Sequence, residues 1–331
     1  MQLDDKTTTS SKHQVWHILR ARQEVFVFLV LLITGAFLSL RTDTFLTGNN
    51  LFNVLRSFSW IAIPAFGECI VIITGGIDLS VGAVMALSAL VTTLAMRSGQ
   101  PVGVAVAAGL LTGGLLGWLN GVMVARVKLP PVIVTLGTMS IARGIAFGLT
   151  GGWPIRSLQE SFRVLGQYDL PLGPLAIPLP VLIMLGVAVL VGFLLDQTVM
   201  GRYIYVLDSS ERALAATGVR VVQVKVLVYS LCGLLTAIGG LLMTARLGVA
   251  APTAAMGYEL DIIAAAVVGG TSLFGGQGSV VGVLLGASMM QVIRNGLVLL
   301  GFPSYWQTLA LGAMILLAIL MDYWRRQRSL V

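Results

Sequence analysis

Charge is scarce in this chain. Only 11% of its 331 residues are Asp, Glu, Lys or Arg, against about 25% in an average soluble domain, so there is too little polar surface to cover a water-soluble body. Histidine is nearly missing: His13 and His17 both fall in the polar N-terminal stretch. The cysteines, Cys69 and Cys232, lie far apart within apolar runs. They form neither a CxxC site nor a disulfide framework, and no Cys/His cluster is present for zinc or haem. The lysines follow Asp5, Ser11, Val127 and Val224. A P-loop needs Gly-Lys-Ser/Thr, because backbone N–H groups and the lysine must reach the phosphates together. Nucleotide hydrolysis is therefore not expected on this chain, nor is a resident metal or cofactor.

What is abundant is apolar sequence. The hydrophobic set makes up 56% of the residues, and the mean hydropathy is +0.92. Stretches of helical length run at 25–40, 57–75, 79–96, 102–124, 132–150, 177–195, 224–243, 260–276, 279–299 and 305–321. The expectation is an all-α polytopic membrane protein with about ten spans. A polar tail, 1–24, precedes a single transmembrane domain, 25–322, and a short basic tail, 323–331, follows it. The first run ends in Ser39-Leu40-Arg41 without an Ala-x-Ala pattern, so it reads as a span and not as a cleaved signal. With both termini inside, the larger share of Lys and Arg falls on the cytoplasmic side, including Arg126, Lys128, Arg202, Arg212, Arg220 and Lys225. The net charge of +7 then reports orientation, and nucleic acid is not expected as a partner.

Glycine is used heavily and with a period. Gly109, Gly113, Gly117 and Gly121 recur on one helix face, and Gly278, Gly282 and Gly286 repeat the spacing. Such small-residue ridges let helix backbones approach closely in lipid. Gly75-Gly76 and Gly275-Gly276-Gln277-Gly278 break long apolar runs, which points to bent or discontinuous helices lining a path. An internal echo accompanies them, Gly75-Gly76-Ile77-Asp78-Leu79 against Gly269-Gly270-Thr271-Ser272-Leu273.

Charges at membrane depth are costly and raise a functional question. Glu68, Asp78, Arg143, Glu259, Asp261 and Arg294 lie within or beside spans. They can act as proton or ion relays, or the carboxylates can cap helix ends. On the inner side the longest loop, 196–223, carries a capping-box pattern, with Asp208 as N-cap and Glu211 reaching back. A short helix through Arg212 and Ala215 follows, and Gly218 stops it. This is either a docking helix for a cytoplasmic motor or an amphipathic helix resting on the membrane surface.

Asn49-Asn50-Leu51-Phe52-Asn53, Gly75-Gly76-Ile77-Asp78-Leu79-Ser80-Val81-Gly82, Thr135-Leu136-Gly137-Thr138 with Arg143-Gly144, Gly201-Arg202-Tyr203, Tyr258-Glu259-Leu260-Asp261 and Gly269-Gly270-Thr271-Ser272-Leu273 stand in this order over residues 45–322. Their succession resembles that in membrane permeases of bacterial ribose-type sugar importers of the ATP-binding-cassette class. The resemblance implies a ten-helix type II importer fold in the inner membrane, a permease dimer and a periplasmic sugar-binding protein. It also implies a cytoplasmic ATPase with two nucleotide-binding domains on one chain, which would carry the ATP and magnesium. The segment from Gly201 to Gly218 would face that ATPase, with Gly201, Arg202, Asp208, Glu211, Arg212, Ala215 and Gly218 as coupling residues. Here the chain departs from the family, whose frequent Gly-Gly-Asn reads Asp208-Ser209-Ser210. Asp78, Asn120, Glu259, Asp261 and Asn295 are the candidates for the translocation path, able to hydrogen-bond sugar hydroxyls or pair across the dimer. Trp60 and Trp118 can stack on a sugar face or anchor the helices. The rivals are an ion-driven secondary transporter using Glu68 or Asp78, and a permease of the same architecture for nucleosides or branched-chain amino acids.

Overall fold

The computed structural model describes the backbone of residues 7–329 apart from 157, 173–174 and 209–210. Side chains are described for 24–320, with 157, 172–175 and 209–210 left out. The helices are α1 Thr7–Arg41, α2 Gly48–Ile73, α3 Val81–Arg97, α4 Val102–Ala125, α5 Pro131–Thr150, α6 Glu160–Gln167, α7 Leu179–Gln197, α8 Val199–Leu207, α9 Glu211–Ala216, α10 Val221–Leu247, α11 Tyr258–Val268, α12 Val280–Leu299 and α13 Ser304–Ser329. Seven of them, α1, α2, α4, α5, α7, α10 and α12, are long and apolar enough to cross a membrane, while α3 and the apolar part of α13 are shorter. The chain is a multi-pass membrane protein.

Successive long helices alternate in direction, which gives the bundle two ends. One carries α8 and α9 between α7 and α10 and is called the arm end. The other carries α6 and a hairpin, β2 Asp169–Leu172 with β3 Leu175–Pro178, and is called the hairpin end. There β1 Ile155–Arg156 pairs antiparallel with β4 Val249–Ala250, tying the connection after α5 to the one after α10. These short strands are the exception to an otherwise all-α architecture.

Burial separates the helices by role. In α2, 94% of the apolar window is buried, against 11% in α1 and 17% in α5. Helix α2 is the axis: α10, α11, α12 and α7 pack around it, α4 packs along α10, and α3 fits between α4 and α10. The peripheral helices α1, α5 and α13 present leucine, isoleucine and phenylalanine outward, as a lipid-facing surface requires.

The glycine ridge of α4 faces backbone. A Cβ at Gly121 would lie 2.7 Å from the Val226 Cα, one at Gly117 would run into the Tyr229 carbonyl, and one at Gly113 into the Gly233 carbonyl. Gly109 faces Ser88 and Thr92 of α3 instead. Across the seam Gly233 answers Gly117, since its own Cβ would lie 3.0 Å from the Gly117 Cα. Helices α4 and α10 thus touch main chain to main chain. Gly282 and Gly286 do the same for α12 against Gly269 and Ala265, whereas Gly278 precedes α12 and faces Ile73 and Cys69 of α2. The second ridge is therefore two glycines long.

Several element bounds differ from the sequence expectation. The polar stretch expected as a tail continues α1 back to Thr7; residues 1–6 lie outside the described residues. The C-terminal stretch 323–331 likewise continues α13 to Ser329. The apolar run 260–276 contains only the eleven-residue α11, because Gly270, Gly275 and Gly276 take φ of 98°, 75° and 72°, in the left-handed region where a right-handed helix cannot continue.

A bulky residue in the α4–α10 seam must push two backbones apart, which costs about 1–3 kcal/mol. Gly117→Leu is expected to lower stability by that amount. Gly114→Leu, at a position with open space, should change it by less than about 0.5 kcal/mol. Cys69 and Cys232 are buried, so thermal unfolding of both variants can be followed with a thiol-reactive dye.

Candidate functional site

Two of the apolar helices start inside the bundle. After α2 ends at Ile73 the chain turns at Gly75, whose φ is 77°, and passes through a non-helical segment and a turn at 79–80 before α3 begins. The buried polar groups of this turn are joined in one network. The Asp78 N–H donates to Glu68 Oε1 at 3.0 Å. The Ser80 N–H and hydroxyl donate to Asp78 Oδ1 at 2.8 and 2.5 Å. The Asn120 side-chain amide of α4 donates to Asp78 Oδ2 at 3.2 Å and to Ser80 Oγ at 3.1 Å. The Thr138 hydroxyl of α5 donates to Asn120 Oδ1 at 2.6 Å. Glu68, Ser80 and Asn120 are fully buried and Asp78 is 2% exposed. Asn120 thus connects the α2–α3 turn to α4 and α5, and Asp78 serves a local turn at the start of α3.

The second start is that of α11. From β4 the chain passes through Pro252 and Ala254, whose carbonyls accept from Arg143 Nη1 at 2.7 and 2.8 Å. Arg143 lies about 18 Å along α5 from its first residue, at 1.5 Å per residue, so these contacts are well inside the bundle. Glu259 Oε1 accepts from the Gly257 N–H at 3.2 Å. Its Oε2 is buried with no hydrogen-bond partner among the described residues and abuts Gly82 in the first turn of α3. The first turns of α3 and α11 therefore face each other. Asp261, two residues on, is drawn to α12, where Arg294 Nη2 donates to its Oδ2 at 2.6 Å. The same guanidinium lies 5.4 Å from the Tyr258 ring centroid.

The five residues expected along the path thus fall in three places. Asp78 and Asn120 meet at the α2–α3 turn, and Glu259 and Asp261 share the first turn of α11 but reach to different helices. Asn295 lies apart and exchanges reciprocal amide hydrogen bonds with Asn50 at the start of α2, at 3.0 and 2.8 Å. Trp60 is buried within α2, and its backbone carbonyl packs against Gly239 of α10. Trp118 lines a groove of about 390 Å³ on the outer α4–α10 surface, with Val122, Arg126 and Val226. The residues that complete the interior site are Ser80, Thr138, Arg143 and Arg294. Thr138 and Arg143 stand in motifs already noted, but nothing in their spacing says that one supports Asn120 and the other holds the α11 approach. Among the described residues no group of three His, Cys, Asp or Glu could hold a metal ion.

At the arm end, Thr198 caps α8: its hydroxyl oxygen accepts from the Gly201 N–H at 3.1 Å. Gly201, in the first turn of α8, is buried against the end of α7, where any side chain would strike the carbonyls of Leu194 and Leu195. Arg202, Glu211, Arg212, Ala215 and Gly218 are exposed, and α9 is anchored through buried Leu214. Gly218, at φ 85°, ends the helix as expected, its N–H reaching the Ala215 carbonyl at 3.0 Å. The capping box takes another form. Asp208 has helical angles, φ −66° and ψ −48°, at the end of α8, so it is not an extended N-cap. Glu211 pairs with Lys225 Nζ of α10 at 2.8 Å, because a cation within reach competes with a backbone N–H for the carboxylate. Ser209 and Ser210 lie outside the described residues. The Asp208 carboxylate instead reaches Gly75 and Gly275.

Asn120→Leu keeps the volume of the buried side chain but removes the amide that joins Asp78, Ser80 and Thr138. Leaving those groups unsatisfied costs about 1–3 kcal/mol each. The variant should unfold at a clearly lower temperature than wild type, and Asn120→Gln, which retains the amide, should lose less.

A family model described as branched-chain amino acid transport system / permease component matches residues 50–319. The chain is 43% identical over 295 residues to the ribose import permease protein of Escherichia coli strain K12, covering 89% of this chain and 92% of that one. It is 40% identical to the ribose import permease protein of Bacillus subtilis strain 168, covering 92% and 94%. It is also 34% identical to the L-arabinose ABC transporter permease protein of Azospirillum brasilense, covering 95% and 91%. No solved structure matches. With the family model covering most of the chain, from the start of α2 into α13, this polypeptide belongs to the family of branched-chain amino acid transport system permease components.

Proposed function

We propose that this chain is the membrane-spanning permease of an ATP-driven, binding-protein-dependent importer for a monosaccharide of the ribose type, acting in a bacterial inner membrane. The observation that carries the reading is the likeness over about nine tenths of the chain to import permeases whose names specify ribose, joined by an arabinose permease. The same likeness favours a sugar over a nucleoside or a branched-chain amino acid, and an importer subunit over an ion-driven carrier. No cofactor is assigned to this chain. ATP and magnesium belong to a partner ATPase with tandem nucleotide-binding domains, and a second permease copy and a periplasmic binding protein complete the importer.

In this reading α1–α5, α7 and α10–α13 are ten spans with both termini in the cytoplasm, and the arm end is cytoplasmic. The shortness of α11 is consistent with that count, because the segment 251–257 leads into the bundle before the helix begins. Arg126, Lys128, Arg202, Arg212, Arg220 and Lys225 gather at the arm end, as the positive-inside tendency requires. The exposed residues Arg202, Glu211, Arg212, Ala215 and Gly218 form the contact for the ATPase. A ligand shifts a conformational equilibrium only by its differential affinity for the two states. ATP binding on the partner must therefore act on this chain through α8 and α9, and the response is a rearrangement of α3 and α11 around the polar groups where they begin. Selection among sugars rests largely with the binding protein.

The chain reconstituted alone in liposomes should be inert, and uptake of labelled ribose should need the ATPase, ATP and the loaded binding protein. Accumulation under a pH or sodium gradient alone would overturn the reading. Glu211→Lys sets two ammonium groups against each other at position 225 and should abolish uptake while membrane insertion stays intact. Gly218→Pro, incompatible with φ near 85°, should do the same.

A further inference from the structure

The arm touches the rest of the protein at a place that its role in contacting an ATPase does not by itself require. The α2–α3 turn and the α11–α12 turn both come to the arm end, and each bends at a glycine in the left-handed region, Gly75 at φ 77° and Gly275 at φ 75°. The turns are tied to each other directly: the Gly276 N–H donates to the Ile73 carbonyl at 2.9 Å. The side chain of Asp208 sits over both. Its Oδ1 occupies the space where a Cβ on Gly75 would be, and its Oδ2 lies on the corresponding side of Gly275, where a Cβ would fall 2.6 Å from the Asp208 Cβ. Three residues earlier on α8, the Tyr205 hydroxyl donates to the Gly278 carbonyl at 2.9 Å, and Ile204 and Leu207 beside them are buried.

We propose that Asp208 is a positioning residue for transport. Its carboxylate, seated with one oxygen against each glycine turn, links the arm to α3 and α11 together, so that a displacement of α8 moves the starts of both interrupted helices at once. The physical basis is that close-packed groups transmit displacement because they do not compress. Glycine is required at 75 and 275 for two reasons: the backbone there is left-handed, and the space that a side chain would need is filled by Asp208. One turn leads directly into the Glu68–Asp78–Asn120 network, and the other closes α11, which carries Glu259 and Asp261. A single acidic side chain thus joins the surface that meets the ATPase to both polar clusters in the interior. This inference rests on the arm being the ATPase contact, as proposed above.

The test uses the complete importer, with its ATPase and sugar-loaded binding protein, in proteoliposomes. Asp208→Ala is expected to lower ribose uptake by about tenfold, within the usual range for a lost coupling contact, while the ATPase still co-purifies with the permease and still hydrolyses ATP. Asp208→Asn has the same shape and should recover most of that loss. Gly275→Ala should also lose uptake, and the double variant Asp208→Ala/Gly275→Ala should be no worse than Gly275→Ala alone, because both changes break one contact. Should Gly275→Ala fail to reach the membrane, the two Asp208 variants decide the matter. Uptake by Asp208→Ala near the wild-type rate overturns the proposal. So does loss of ATPase co-purification in that variant, which would place Asp208 in the docking contact itself and leave the reading of the arm intact. If the wild-type permease recruits no ATPase, the reading of the arm fails first.

Discussion

A helix that begins inside a membrane protein leaves its first N–H groups, and the carbonyls of the segment leading to it, without water to satisfy them. Among the described residues two helices begin this way, α3 and α11, and their neighbours pack so as to cover those starts. In the segment leading to α3 the Ser80 N–H donates to Asp78, and the buried Asp78 carboxylate is bound in turn by Asn120 of α4, which Thr138 of α5 supports. At α11 the approach segment is held by Arg143, which donates to two of its carbonyls. Irregular backbone is tolerated in a membrane only where protein covers it, and the placement of α2 and α10 at the centre provides that cover.

Close packing follows from the same constraint. Apolar helices in lipid gain little by hiding apolar surface from one another, so a stable seam needs intimate contact. The seam between α4 and α10 obtains it by bringing backbone against backbone at Gly117, Gly121 and Gly233. The contact between α11 and α12 does so at Gly269, Gly282 and Gly286. These seams flank the interrupted helices and hold the turns of Gly75 and Gly275 close enough together for Asp208 to span them.

Much of the architecture was legible from periodicity. The glycine steps at 109, 113, 117 and 121 marked a contact face without showing that α10 answers with Gly233, because that partner lies far along the chain. The interruption at Gly75-Gly76 was visible, and so was the capacity of Asp78 to cap. The length of α11 was not, since 260–276 reads as one apolar run and is divided only by glycines whose φ depends on the fold. The candidate path residues were identified as polar groups near helix breaks. Their division among Asn120, Arg294 and Asn50 as partners is a matter of which helices pack together.

The sequence by itself determined that this is a membrane-embedded chain, because its composition leaves too little polar surface to cover a water-soluble body however the chain folds. It also determined where helices break, since glycine acts on the local backbone. Only the tertiary structure decided that Glu211 pairs with Lys225 instead of capping its own helix, that Asn295 pairs with Asn50, and that Asp208 lies between two glycine turns. Each of these is a choice among partners distant in the chain, and such choices are made by the distance between side chains after packing, which local pattern does not encode.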